Sequence, residues 1–149
     1  MSLRGIAREY ALSTGATFTD PADTPTITEA SGFPVVISDE APIRGRIGVR
    51  AFLTRVVRNV DVTKPTPSWM ITRLALAGIR SISLTVDITN YVMLELGQPI
   101  HAYDLDRVSG GLTVRRANAG ETLTTLDDKT RTLNPEDLLI TDESGPIGL

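Results

Sequence analysis

Few residues of this chain can do chemistry, and His101, its only histidine, comes first. Near neutral pH an imidazole can act as a general base or hold a polar group in place. The competing reading is a strand histidine bonded to a neighbouring carbonyl, and spacing favours it, because no triad partner stands nearby. Arg80 follows an expected helix end at Gly78. A guanidinium there can reach across a cleft to a carboxylate or phosphate, although spacing alone describes a solvated arginine as well or better. Thr89 and Asn90 are expected in the first turn of the next helix, where surface polar residues are common. Asp104 and Asp106 follow His101 closely, but strand alternation places both with Ala102, away from the imidazole. Arg44, Arg46, Arg50, Arg55 and Arg58 form a stripe without an acid. It can face RNA, or more simply be the charged outer face of a strand.

Other chemistry is excluded or unsupported. No Gly-x-Ser-x-Gly elbow is present, and no phosphate-cradling glycine loop opens a helix in register. Ser109-Gly110-Gly111 reads as a turn before a strand. The absence of cysteine rules out disulfides and thiolate metal sites, and one histidine argues against zinc, so no metal is expected. With 15 basic and 18 acidic side chains the net charge is −3. That balance does not suit a domain devoted to phosphate backbones, but it allows a module touching nucleic acid at one end. Apolar runs are too short to cross a membrane, and no signal peptide opens the chain, so a cytoplasmic location is expected.

The elements that must position these residues follow from caps and periodicity. At 149 residues and 41% hydrophobic content, one compact domain over 1–149 is expected. Helices are expected over 3–14, closing at Gly15, over 67–77 with Thr66 as cap, and over 88–96 before Gly97. On the second helix Met70, Leu74 and Ala77 share a face, and Trp69 lies beside Arg73. Residues 16–34 read as a polar connection. Strands are expected at 34–38, 47–60, 112–114, 122–126, 130–133 and 138–140, with a turn at Asp127-Asp128-Lys129. Strands and helices do not alternate steadily, so an α+β, β-rich layered fold is expected rather than a doubly wound parallel sheet. Both ends read as cut from a longer chain, with Met1-Ser2-Leu3 partly an expression scar.

The run Val86-Asp87-Ile88-Thr89-Asn90-Tyr91-Val92-Met93-Leu94-Glu95-Leu96-Gly97-Gln98-Pro99-Ile100-His101-Ala102-Tyr103-Asp104 resembles the signature of bacterial phenylalanyl-tRNA synthetase β subunits. Pro65 to Trp69, Ala77 to Arg80, Gly110 to Ala117, Gly120 to Leu123, Leu138 to Asp142 and Arg4 to Glu9 extend the resemblance, which is weakest across residues 16–45.

The resemblance implies a layered β-sandwich with flanking helices, part of a module that hydrolyses phenylalanine tRNA mischarged with tyrosine. A pocket shaped for phenylalanine rejects an added hydroxyl only weakly, so a second site is needed to remove the error. By resemblance, Arg80 orients the charged tRNA end and His101 places the ester or the attacking water. Asn90, with Thr89 beside it, belongs to the pocket wall. The parent enzyme would pair with an α subunit in an α2β2 assembly, bind the tRNA 3′ end, and use ATP and Mg at another site. No cofactor is expected in this fragment. Asp127-Asp128 stands where the family commonly has Asp-Gly, and the family's hydroxyl-reading carboxylate lies beyond Leu149. The isolated fragment is therefore expected to be inactive. The alternative is a non-catalytic structural or tRNA-contacting module of the same subunit.

Overall fold

A computed structural model describes residues 2–23, 32–39 and 46–149. Met1, Arg44 and part of the polar connection, residues 24–31, lie outside them. The chain divides into two compact units, Met1–Glu29 with Arg58–Tyr103, and Ala30–Val57 with Asp104–Leu149. The first holds the three helices and the second the strands, and the fold is α+β.

In the helical unit, α1 spans Leu3–Thr14, α2 Ser68–Leu76 and α3 Leu84–Leu96. Ser2 caps α1 by accepting the Gly5 amide at 3.1 Å. Gly15 and Gly97 end α1 and α3 with φ of 74° and 78°, a conformation costly to any residue with a Cβ. Met70, Leu74 and Tyr91 form the core, with Ile79 packed against them. Truncating the fully buried Leu74 to Ala would cost about 2–5 kcal/mol. Ala77, expected on that face, is exposed. Arg4 grips Asp20 through two bonds of 2.7 and 2.6 Å. That grip holds the Asp20 carboxyl at about 2.

Two helix starts differ from expectation. Pro67, not Thr66, is the N-cap residue of α2, because Thr66 turns its hydroxyl to Asp87 instead. Helix α3 begins at Leu84, so Thr89 and Asn90 lie in its second turn rather than its first. Asp87 is not free to cap it, since its carboxylate is consumed by donors that precede the helix.

The strand unit contains β1 (Val35–Ser38), β2 (Leu112–Arg116), β3 (Thr122–Thr124), β4 (Thr130–Thr132), β5 (Leu138–Asp142) and β6 (Gly145–Gly148). The main sheet has the order β1-β2-β5-β6, with β1 parallel to β2 and the other pairs antiparallel. The β3-β4 hairpin makes a second layer. Its Leu123 packs on Ala117, Leu133 and the fully buried Leu139. β6 lies beyond the strands expected from sequence, because Gly and Pro mask a pairing supplied wholly by β5. The strand expected over 47–60 is absent. Those residues lie outside regular secondary structure, and Asn59 takes a left-handed turn at φ 58°. β-branched residues favour a strand only where a neighbour completes the ladder.

Candidate functional site

One buried carboxylate organises the residues singled out in the helical unit. Asp87 is fully buried. Its Oδ2 accepts the hydroxyls of Ser81 at 2.6 Å and Thr66 at 2.5 Å, and its Oδ1 accepts the Ile82 amide at 3.0 Å. Burial pushes this carboxyl up, but the bonds from Ser81, Thr66 and Ile82 outweigh it and hold the group below the usual carboxylate range. The entry to α2, the link after α2 and the first turn of α3 are thereby tied to one point. In the sequence Asp87 stands out only as the residue before the helix expected over 88–96.

Arg80 lies on the tied link, directly before Ser81, and is exposed. The turn at Gly78, with the Ile79 amide bonded to the Leu74 carbonyl at 2.9 Å, buries Ile79 in part and leaves the guanidinium outside the core. Thr89 and Asn90 are half-buried on α3. The Thr89 hydroxyl donates to the Val86 carbonyl at 2.7 Å, so its proton is already used within the helix. Arg73 donates to the Tyr91 hydroxyl at 2.5 Å and covers Trp69 at 5.3 Å, bearing out the expected Trp69–Arg73 proximity.

His101 is exposed and its ring stacks on Tyr103, with centroids 6.3 Å apart and planes at 15°. Alternation by two residues in an extended chain could have signalled this pair. The Tyr103 hydroxyl is buried with no partner among the described residues, and burial pushes the phenol up. Among the described residues no hydrogen bond joins Arg80, Thr89, Asn90 and His101 to one another. Asp104 accepts the Asp106 amide at 3.2 Å and caps the short turn Leu105–Arg107, so the two acids are not a catalytic pair. No group of three or more metal-ligating side chains comes together among the described residues. No described helix is long and apolar enough to cross a membrane.

The strand unit holds a second buried carboxylate. Asp39 Oδ1 accepts Arg116 Nε at 2.7 Å, and its Oδ2 accepts the amides of Gly48 at 2.7 Å and Val49 at 3.1 Å. Burial raises this carboxyl, and the Val49 amide, Arg116 and the Gly48 amide together bring it below its ordinary value. Arg116 also donates to the Glu136 carbonyl at 2.6 Å. A Cβ on Gly48 would meet Leu138 Cδ1 at 2.5 Å and Arg116 Nη2 at 2.8 Å, so any side chain there would push both of these side chains aside.

The family model described as B3/4 domain matches residues 48–149. The phenylalanine–tRNA ligase beta subunit of Leifsonia xyli subsp. xyli is 69% identical over 150 residues, which is 99% of this chain and 18% of that protein. Its counterpart in Streptomyces avermitilis is 54% identical over 100% of this chain and 17% of that protein. The one in Chromobacterium violaceum is 45% identical over 100% of this chain and 18% of that protein. The chain thus spans less than a fifth of the length of these relatives. On these matches the chain belongs to the B3/4 domain family, and its relatives are phenylalanine–tRNA ligase beta subunits.

Proposed function

We propose that this chain is part of a site that hydrolyses tyrosine from phenylalanine tRNA within a phenylalanine–tRNA ligase. The observation that carries the reading is the Asp87 hub. It ties the Arg80 link and the helix bearing Thr89 and Asn90 to one buried carboxylate, so three of the four candidate residues share one rigid scaffold. An exposed guanidinium suits a phosphate of the tRNA end, and an exposed imidazole can take a proton from water or hold the ester. In the reaction, water adds to the ester carbonyl and the tetrahedral intermediate collapses. The ribose hydroxyl leaves with a proton, and tyrosine departs as its carboxylate. Arg80 and His101 lower the barrier by positioning. Half-buried Asn90 and Thr89 line the wall.

The parent would act in the cytoplasm with an α subunit, and ATP and magnesium would serve its separate synthetic site. No step above runs through them. The chain alone is expected to be inactive, since selecting tyrosine requires a partner for its phenol that the matching residues here do not supply.

A second reading is a structural or tRNA-contacting module, favoured by the stacking of His101 on Tyr103. The experiment compares His101→Ala and Arg80→Ala in the full two-subunit enzyme. Each is expected to slow release of labelled tyrosine from mischarged tRNA, while phenylalanine-dependent pyrophosphate exchange stays near wild type. Wild-type hydrolysis in both variants rejects the catalytic reading.

A further inference from the structure

The Asp87 hub leaves one of the four candidate residues unheld. Arg80, Thr89 and Asn90 ride on elements tied to that carboxylate, whereas His101 lies beyond the end of α3, outside regular secondary structure. Among the described residues, no backbone hydrogen bond involves residues 98–103. An exposed histidine on such a stretch samples several rotamers, and a ring in the wrong one cannot meet an ester or a water.

Tyr103 supplies what the backbone does not. It stands two residues from His101, the spacing that puts side chains on one side of an extended chain. The two planes are 15° apart with centroids at 6.3 Å, within the range of an offset stack. The ends of this pair differ. His101 is exposed, while the Tyr103 hydroxyl is shut away from water. A polar atom buried without a partner costs stability and returns nothing in hydrogen bonding. Among the described residues, no other buried side-chain nitrogen or oxygen is left so. Tyr103 therefore contributes its ring rather than its oxygen. The buried end pins that ring, and its face sets the plane of the imidazole. A stack of this kind favours the held rotamer by about 2- to 10-fold. It covers a face of the imidazole and not its edge, so the ring nitrogens stay free for proton transfer or for the ester.

We infer that Tyr103 is a positioning residue for the ester hydrolysis, its anchored ring holding the His101 imidazole in one orientation toward the substrate. The inference rests on the proposed role of His101 and adds the residue that sustains it.

The contact is checked first in this chain, whose single histidine gives one set of imidazole signals. A nuclear Overhauser effect between the His101 and Tyr103 rings is expected, and its absence overturns the inference. Function is then read in the full two-subunit enzyme, as kcat and KM for tyrosine release from mischarged tRNA. Tyr103→Phe keeps the ring and removes only the unpaired hydroxyl, so kcat should stay within about twofold of wild type and the melting temperature should not fall. Tyr103→Leu removes the stack and should lower kcat about five- to tenfold, with KM and pyrophosphate exchange unchanged. Tyr103→Met takes its place if the leucine variant does not fold. In a His101→Ala background neither substitution should slow release further, because the ring then has nothing to position. Slow release in Tyr103→Phe would assign the role to the hydroxyl. Additive losses with His101→Ala, or an equal fall in pyrophosphate exchange, would make Tyr103 a structural residue. Each of these results overturns the inference. If His101→Ala slows release and Tyr103→Leu does not, this inference fails alone. Wild-type release in His101→Ala rejects the proposed role of His101, and this inference with it.

Discussion

Each unit buries one carboxylate, and the two solve the same problem differently. Asp87 is held by two hydroxyls and one amide, all uncharged and within 21 residues of it. Asp39 is held by two amides and by Arg116, 77 residues away. A carboxylate that leaves water must recover its lost solvation from donors, a countercharge, or both. The helical unit does so with local chain, where residues flanking α2 and α3 are close in any case. The strand unit does so across its sheet, and one pair thereby sets both the position of β2 and the anchoring of the strip after Asp39. The first arrangement braces the link that carries Arg80 and the start of α3. The second braces β2 and the backbone at Gly48 and Val49.

The largest expected effect breaks the charged arrangement. Asp39→Asn strands the Arg116 guanidinium, only 11% exposed, and should lower the melting temperature by roughly 10 °C. Replacing both partners, as Asp39→Leu/Arg116→Met, should recover most of that loss, because a buried pair can be exchanged for packed apolar groups with little net cost. A double variant no better than Asp39→Asn would show that the two amide bonds, not the charge, dominate.

Asp87→Asn should be milder, roughly 5 °C, because an amide oxygen can still accept some of the three donors and no countercharge is abandoned. In the full enzyme it should also slow tyrosine release more than it slows pyrophosphate exchange. If thermal melting shows Asp87→Asn to be the more damaging of the two, the contrast between charged and neutral solutions collapses.

Acid sharpens the comparison further. Arg115 holds the Glu121 carboxyl at about 2, against 4.5 ordinarily, and Arg4 does the same for Asp20 in the other unit. A carboxyl depressed on folding stabilises the protein above its unfolded value. As pH falls from about 4.5 to about 2, the unfolded chain takes up the proton first and that stability drains away. Glu121→Gln should therefore flatten the dependence of the urea midpoint on pH in this window. Asp20→Asn should flatten it independently, the two groups lying in different units.

The smallest effect is expected at the β3-β4 turn. Asp128 adopts φ 58°, a conformation in which a glycine would be at ease. Asp128→Gly should change the melting temperature by no more than about 3 °C, since relieved strain and added chain entropy oppose each other, whereas Asp128→Val should lower it clearly.

Residue type and spacing by themselves determined the helices and most strands of this protein. Gly15, Gly78 and Gly97 punctuate the chain whatever surrounds them, and a stripe such as Met70 and Leu74 has one way to be buried. The motif from Val86 to Asp104 likewise carries its family resemblance in residue types alone. Tertiary structure alone decided the rest. Residues 47–60 have the composition of a strand, yet a strand needs a neighbour, and local sequence cannot supply one. Gly145 to Gly148 has the wrong composition and is a strand because β5 pairs with it. Thr66 looks like a cap, but a buried carboxylate is a stronger acceptor for its hydroxyl than a helix end is a donor to it. Asp39 gave no signal at all, since its partner is 77 residues away and only the folded sheet makes them neighbours.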